Sequence, residues 1–251
     1  MKIKYLQLDT VNSTNDYLKQ LTLNELVANK SFVFANEQTK GKGQLGNTWI
    51  SAYGENILTS CFLSFSNLLI SKQVTLTMLT CLGIHQFLLE ILGVDKDVKI
   101  KWPNDIYVNN KKICGILIEN SFVGHHIESS IIGIGLNCNQ RNFDLPNVTS
   151  IALILNEKLD LNTLKQKFIE TLLPYFDQML ATPNYSDLKI KYMSKLMGVN
   201  EMFLYEDNIS DSILCGVITD IDELGRVVIK NVTTGQVMVY NNKEISLIIN
   251  L

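Results

Sequence analysis

The sequence predicts an α+β fold in two parts: a mixed layer of strands and helices, then a small barrel of short strands. Three observations support this prediction. Up to about residue 148, segments rich in β-forming residues outnumber helical ones. Residues 149–197 then switch to helical spacing. After Gly198 the chain is a series of short strands separated by turn residues, and residues 198–251 are enough for only a small barrel.

The first predicted elements are a helix and two strands. Residues 10–28 predict a short turn and then an amphipathic helix with Ser13 or Thr14 as its N-cap. The apolar positions of this helix are Tyr17, Leu18, Leu21, Leu26 and Val27. The segments SFVFANE (31–37) and NILTSCFLSF (56–65) are rich in β-formers and predict strands on either side of a glycine-rich loop.

The next elements are a buried helix and a group of strands. From residue 72 to 92 the chain is apolar on most faces, which predicts a helix inside the core. The turn Asn109-Asn110 predicts a hairpin, because asparagine tolerates positive φ. The strands predicted here cover 98–102, 105–119 and 127–137.

The last third of the chain holds the predicted domain boundary. The clearest helix is NTLKQKFIETLLPYFDQML (162–180), in which Pro174 predicts a kink or a break. Turns such as 223–225 and 234–235 separate the short strands that follow. We place the boundary near residues 197–200, which gives a first domain of 1–197 and a second of 198–251.

Composition and charge limit the function classes. The net charge of −3 provides no overall attraction to nucleic acid or anionic membrane, so any phosphate site needs a local cluster of cations. Polar residues interrupt each apolar stretch, and the N-terminus lacks the apolar core of a signal peptide, so we expect a cytoplasmic protein with no membrane span. Five scattered cysteines without a CxxC pair argue against a disulfide framework and a zinc knuckle.

The loop TKGKGQLGNTWIS (39–51) is a candidate ligand site. It contains three glycines, two lysines and one of the two tryptophans. Closely spaced glycines let backbone N–H groups approach a ligand, and Lys40 and Lys42 favour an anionic one. The alternative is a mobile, solvated connector, and the loop matches neither the P-loop nor the dinucleotide fingerprint.

The strongest local signal is KWPNDIYVNNKKICGILIE (101–119). Its proline restricts the backbone, so the turn presents the amide of Asn104 and the carboxylate of Asp105 at the start of a strand. The returning arm carries Lys112 before an apolar run, where the amine can point to a site on the sheet face. Gly115 would let a ligand lie close to the backbone. The alternative is that the two adjacent lysines are ordinary solvated turn residues.

Six segments in a fixed order connect these signals. They are STN (13–15), QTKGKGQLGNTW (38–49), KWPND (101–105), Lys112 with Gly115, GIGLN (133–137) and KEISLI (243–248). Together they resemble the biotin–protein ligases over the whole catalytic portion. The resemblance implies a catalytic domain related in fold to class II aminoacyl-tRNA synthetases, followed by an SH3-like barrel.

The resemblance also implies a two-step reaction. The biotin carboxylate attacks the α-phosphorus of ATP to give biotinyl-5′-AMP and pyrophosphate, and a lysine of a carrier protein then takes the biotinyl group. Mg²⁺ would neutralise the departing pyrophosphate; no residue is assigned to a metal site. The implied partners are biotin, ATP and the biotin carboxyl carrier protein of a carboxylase, which corresponds to a biotin–[acetyl-CoA-carboxylase] ligase.

Site residues follow from the motif positions. The resemblance implies that biotin and its activated carboxylate lie among Ser13, Thr14, Asn15, Gln38, Gly41, Lys42, Gly43, Gln44, Lys112 and Gly115. It implies that ATP meets Lys42, Asn47, Trp49, Asn104, Asp105, Lys112 and Asn137. The expected catalytic groups are Lys42, Lys112 and Asp105, since a carboxylate that attacks a phosphate needs fixed cations where charge develops. The ring of Trp49 would offer a surface for adenine.

The loop departs from the family pattern at three positions. The family commonly has arginine where Gln44, Leu45 and Asn47 stand. Loss of bidentate donors weakens the phosphate interpretation at these positions.

Three alternatives stay open at this point. One is a lipoate or octanoate ligase of the same fold, and another is a biotin-binding sensor without catalysis. The third is a repressor, but STN begins at residue 13 and leaves no room for an N-terminal DNA-binding domain, so no DNA binding is expected. The oligomeric state is also open, a homodimer included.

Overall fold

The computed structural model describes residues 3–181 and 184–249, and its larger sheet has seven strands. They are β1 (Ile3–Val11), β2 (Val27–Gln38), β3 (Ile57–Leu69), β4 (Val98–Lys101), β5 (Asp105–Val108), β6 (Lys111–Val123) and β7 (His126–Leu136). Their spatial order is β1-β2-β3-β7-β6-β5-β4, with β1 and β2 parallel and the other pairs antiparallel. The α+β prediction is confirmed.

The described part of the chain has five α-helices. They are α1 (Thr14–Leu23), α2 (Val74–Leu92), α3 (Ile151–Leu155), α4 (Leu161–Leu180) and α5 (Tyr185–Met193). Of these, α1, α2 and α4 pack on this sheet. Alternation along β2 separates the faces: Phe32 and Phe34 join the core under α2 and α4, whereas Val33 packs with Leu18 of α1. α1 and α2 therefore lie on opposite sides of the sheet.

The N-terminal helix is shorter than the sequence predicts. Ser13 is its N-cap, as expected, and accepts a hydrogen bond from the backbone N–H of Asp16. The helix ends at Leu23, and Glu25 at φ 53° turns the chain into β2, so Leu26 and Val27 are not helical. β1 was not predicted, because its side chains are mostly exposed and lack a clear apolar alternation.

Pro174 does not break the helix that contains it. α4 continues from Leu161 to Leu180 with the proline inside, so of the two predicted outcomes the break is excluded and the kink stays a prediction. The proline removes one backbone donor, but Leu172 and Phe176 on either side are fully buried in the core. Packing along this face outweighs the lost hydrogen bond.

The hairpin between β5 and β6 is confirmed. Asn109 and Asn110 have φ values of 49° and 61°, the left-handed region that a tight hairpin turn requires. We expect Asn110→Ala to lower the free energy of unfolding by about 1 kcal/mol, because a Cβ without a local hydrogen-bonding group is disfavoured there. Urea titration checks this against Asn110→Gly, which should match or exceed the native stability. Equal stability of the alanine and glycine variants would contradict it.

A second sheet follows, built from short antiparallel strands. They are β8 (Phe203–Asp207), β9 (Ser212–Ile221), β10 (Val227–Asn231), β11 (Val237–Tyr240) and β12 (Ile245–Ile248), in the spatial order β11-β10-β9-β8-β12. The predicted boundary near 197–200 remains a proposal. Residues 1, 2, 182, 183, 250 and 251 of the two predicted domains lie outside the described residues.

The expectation that no segment is long and apolar enough to span a membrane is wrong for one helix. The stretch Ile70–Leu92, which contains α2, meets both criteria, and 67% of its apolar window is buried inside the protein. It packs against α4, α5 and strands β4 to β6, as the core helix of a globular fold does. The cytoplasmic location stays a prediction.

His85 gives α2 a pH-dependent contribution to stability. Its Nε2 lies 3.1 Å from the carbonyl oxygen of Val98, and burial, assisted by the charge of Lys195, lowers the pKa of His85 to about 4. The unfolded value is about 6.5, so this contribution is full above pH 6.5 and is lost as the pH falls toward 4.

We therefore expect the unfolding free energy to fall more steeply between pH 6.5 and 4.5 in the native protein than in His85→Gln. Denaturant titrations at several pH values measure both slopes. The exposed His126→Gln variant is the control and should keep the native slope. Parallel curves for the native protein and His85→Gln would show that His85 does not titrate in this way.

Candidate active site

A cavity of about 270 Å³ lies between the two sheets. One part of its wall comes from the N-terminus of α1, the loop 39–51 and strands β5 to β7. The inner face of the second sheet supplies the other part, including Tyr205, Ile229 and Leu247. No sequence pattern predicted this contribution from the second sheet.

The STN segment forms a hydrogen-bonded network on the first sheet. The backbone N–H and the hydroxyl of Thr14 both donate to Gln38 Oε1, at 2.8 and 3.0 Å. Ser60 Oγ lies 2.7 Å from Thr14 Oγ1 and 2.5 Å from Asn15 Oδ1. Asn15 Nδ2 donates to Glu119 Oε2 at 2.6 Å. These side chains form one continuous chain of hydrogen bonds, so this part of the wall is preorganised. Ser60 lies outside the sequence motifs, and Glu119, the last residue of the 101–119 segment, was assigned no role from the sequence.

Glycines on β6 and β7 make room for two of the wall side chains. A Cβ on Gly133 would collide with the amide of Asn15, and one on Gly135 would collide with the ring of Trp49. A Cβ on Gly115 would come within 2.9 Å of Trp49 Cζ3. A ligand was expected close to Gly115, but the ring of Trp49 occupies that space.

Lys112 and Asp105 form an ion pair in the wall. In the pairing of β5 with β6, Lys112 faces Tyr107 while Asp105 faces Gly115, and Lys112 Nζ lies 2.6 Å from Asp105 Oδ2. Their side chains are 29% and 24% exposed, so the pair is partly shielded from solvent. The structure thus separates the two adjacent lysines, since Lys111 is exposed.

The cavity wall has an excess of positive charge. Four lysines line it, Lys42, Lys101, Lys112 and Lys243, and Asp105 is the single carboxylate among the described wall residues. Burial lowers the pKa of Lys101, and the nearby Asp105 partly offsets this effect. Lys42 donates to Asp16 at 2.5 Å, which raises its pKa. Such a site favours anionic ligands. Lys101 was not assigned from the sequence, although it begins the KWPND motif.

The glycine-rich loop is compact. Lys42 pairs with Thr48 in an isolated antiparallel bridge, and the N–H of Gly43 donates to the carbonyl of Asn47 at 2.7 Å. These contacts bring the glycine-rich part of the loop and Asn47 to the cavity wall. The interpretation as a solvated connector is not favoured by this geometry.

Two of the predicted site residues lie outside the cavity wall. Gly41 is buried where a Cβ would collide with the carbonyl of Trp49, so the glycine permits closure of the loop. Asn137 is buried and donates to the carbonyl of Thr149 at 3.1 Å. Its Oδ1 and the indole N–H of Trp49 are buried without a hydrogen-bond partner in the described part of the chain.

The other predicted residues meet in one place. The cavity wall contains Ser13, Thr14, Asn15, Gln38, Lys42, Gly43, Gln44, Asn47, Trp49, Asn104, Asp105, Lys112 and Gly115. Asn104 is held there by donating its side-chain amide to the carbonyl of Ile116.

Comparison with known proteins agrees with this architecture. A model of the biotin/lipoate A/B protein ligase family matches residues 8–137. The bifunctional ligase/repressor BirA of Bacillus subtilis is 32% identical over 203 residues, 76% of this chain and 59% of its own length. The biotin–[acetyl-CoA-carboxylase] ligase of Paracoccus denitrificans is 24% identical over 90% of this chain and 94% of its own.

A solved structure extends the similarity to both sheets. The biotin protein ligase from Aquifex aeolicus in complex with biotin and ATP superposes with a TM-score of 0.75 at 26% identity. The match covers 97% of this chain and 98% of that one. By contrast, the chain spans about three-fifths of the length of the Bacillus relative.

Proposed function

This chain belongs to the biotin/lipoate A/B protein ligase family, and from that premise we propose that it activates biotin with ATP and transfers it to a carrier protein. The observation that carries the proposal is the Lys112–Asp105 pair, which lies in a cationic cavity together with the STN network and the glycine-rich loop. Similarity to a biotin protein ligase bound to biotin and ATP supports the choice of substrates.

The first step joins two anions. A carboxylate oxygen of biotin attacks the α-phosphorus of ATP, the bond from that phosphorus to the bridging oxygen breaks, and pyrophosphate leaves. Lys112 is proposed to stabilise the charge that develops on the α-phosphate, with Asp105 holding its amine in place. Lys42, half exposed at the cavity mouth, and Lys101, more deeply buried, add positive charge.

Mg²⁺ is proposed as the ion that accompanies ATP. Among the described residues no group of three His, Cys, Asp or Glu side chains could hold a metal by itself. Mg²⁺ bound to a nucleotide needs only one or two protein carboxylates, since phosphates and water supply its other ligands. Asp105 is the carboxylate in the wall that fits this role. The ion would neutralise the departing pyrophosphate.

The second step transfers the acyl group. An unprotonated lysine amine of the carrier attacks the carbonyl carbon of biotinyl-5′-AMP, and the C–O bond to the phosphate breaks. AMP leaves, the nitrogen releases one proton to solvent, and the biotinyl group is then joined to the carrier by an amide bond. We propose a biotin carboxyl carrier protein of a carboxylase as the acceptor, which agrees with the similarity to the Paracoccus denitrificans ligase.

A transfer assay tests this function. The protein is incubated with ATP, Mg²⁺ and a biotin carboxyl carrier domain, and intact mass is measured after adding biotin, lipoate or octanoate. We expect one biotinyl group per carrier with biotin and none with the other two acids. Modification by lipoate or octanoate instead would favour the ligases of those acids, and biotin binding without modification would favour a sensor.

A further inference from the structure

One hydrogen bond connects the glycine-rich loop to the second sheet. Asn242 Nδ2 donates to Gln44 Oε1 at 2.7 Å, across 198 positions of sequence. Both residues line the cavity. Gln44 begins the short 3₁₀ turn Gln44–Gly46, and Asn242 lies between β11 and β12.

The segment that presents Asn242 is itself ordered. Asn241 is hydrogen-bonded to Glu244 through both its backbone and its side chain. Its backbone N–H donates to Glu244 Oε2 at 2.6 Å, its side-chain amide donates to the same carboxylate at 3.0 Å, and its carbonyl accepts from the N–H of Glu244 at 3.1 Å. The carbonyl of Glu244 in turn accepts from the N–H of Asn208 at 2.9 Å. Asn242 therefore lies in a turn whose backbone is tied to the second sheet.

The loop has a second anchor on the opposite side. Lys42 Nζ lies 2.5 Å from Asp16 Oδ1, which belongs to the first turn of α1. Gln44, two residues after Lys42, accepts the hydrogen bond from Asn242 in the turn between β11 and β12. The loop is thus attached to both structural parts that form the cavity wall, and Lys42, Gly43 and Gln44, which connect the two attachments, all line the cavity.

We propose that Asn242 is a positioning residue that holds the glycine-rich loop closed over the ligand. This role rests on the proposed function: Asn242, in the turn between β11 and β12, would contribute to retention of the acyl-adenylate. Gln44 cannot pair with a phosphate as a bidentate cation would. Its acceptor oxygen instead meets Asn242, so the side chain acts through loop closure rather than through charge.

Limited trypsin digestion tests the contact without assuming any activity. Lys40 and Lys42 are cleavage sites inside the loop, and a loosened loop exposes them. An exposed neutral hydrogen bond predicts that Asn242→Ala increases the rate of cleavage in the loop by about three- to tenfold. The control is Gln236→Ala, an exposed amide outside the cavity wall, which should leave the rate unchanged. A native cleavage rate in Asn242→Ala would overturn the proposal.

Coupling between the two side chains separates this contact from a general loss of structure. Gln44→Ala alone should give the same cleavage rate as Asn242→Ala alone, because each removes the same hydrogen bond. The double variant should also give this rate, since no second bond is left to lose. Melting temperatures should agree among all four proteins. Multiplicative effects of the two substitutions would overturn the proposal.

Adenylate release tests the functional consequence. Biotinyl-5′-AMP is formed on the protein from labelled biotin, unlabelled adenylate is added in excess, and loss of label is followed. We expect about three- to tenfold faster release from Asn242→Ala. Native-like release from a variant with a loosened loop would overturn the role in retention. If the native protein forms no adenylate, the proposed function fails, while the digestion result still decides whether the contact exists.

Discussion

Lys112→Ala is expected to reduce biotin-dependent exchange of pyrophosphate into ATP by at least about a hundredfold while the protein stays folded. Removal of one preorganised donor from a site of developing charge typically costs about 3–4 kcal/mol of transition-state stabilisation. The fold should persist because neighbouring Ile113 and Cys114 are buried and carry the packing of this strand. Exchange rates and melting temperatures check both parts.

Lys111→Ala is the matched control for this substitution. Lys111 has the same charge and the adjacent position, but its side chain is exposed. The control should keep the native exchange rate. If Lys112→Ala stayed within threefold of the native rate, the assignment of Lys112 to the adenylation step would be wrong.

Gly133→Ala should lower biotin affinity by at least about tenfold. The added Cβ would collide with the amide of Asn15 and displace it from Ser60 and Glu119. Loss of partners for these buried or half-buried groups costs about 1–3 kcal/mol each. We expect a lower melting temperature as well, and calorimetric titration with biotin measures the affinity.

The same substitution in an Asn15→Ala background shows whether this collision is the cause. The three heavy atoms nearest to the added methyl group all belong to the Asn15 amide, so Asn15→Ala removes the collision. The double variant should therefore bind biotin no more weakly than Asn15→Ala alone. A further tenfold loss in the double variant would show that Gly133 acts through some other contact.

Much of the site could be predicted because its motifs are short and local. The KWPND turn, the hairpin through Asn109 and Asn110, and Lys112 at the start of β6 lie within a few residues of one another. Turn chemistry and strand pairing therefore constrain their geometry without knowledge of the rest of the chain. The charge cluster likewise followed from one observation, that a protein of net charge −3 needs local cations to bind phosphate.

The parts that escaped prediction depend on distant packing. β1 has mostly exposed side chains, so only its pairing with β2 defines it as a strand. α4 continues through Pro174 because the surrounding apolar side chains are buried under α2. The contribution of the second sheet to the cavity arises from residues about 200 positions away from the loop, and no local pattern encodes such a contact.

Trp49 illustrates the same limit at one residue. Its place in the glycine-rich loop indicated a ring near the ligand, and the ring does line the cavity. In the structure the ring lies over Gly115 of β6 and Gly135 of β7, which are far from Trp49 in sequence. Its indole N–H has no hydrogen-bond partner among the described residues. A ligand that accepts a hydrogen bond there would satisfy a donor whose isolation costs about 1–3 kcal/mol.

Exchange of labelled pyrophosphate into ATP by the native protein tests the central claim most directly, because it reports the formation of an acyl-adenylate before any carrier is present. The proposal predicts exchange that requires both Mg²⁺ and biotin and that stays at background when lipoate or octanoate replaces biotin. Exchange that remains at background with biotin, in a protein shown by calorimetry to bind it, would contradict the claim that this cavity activates biotin.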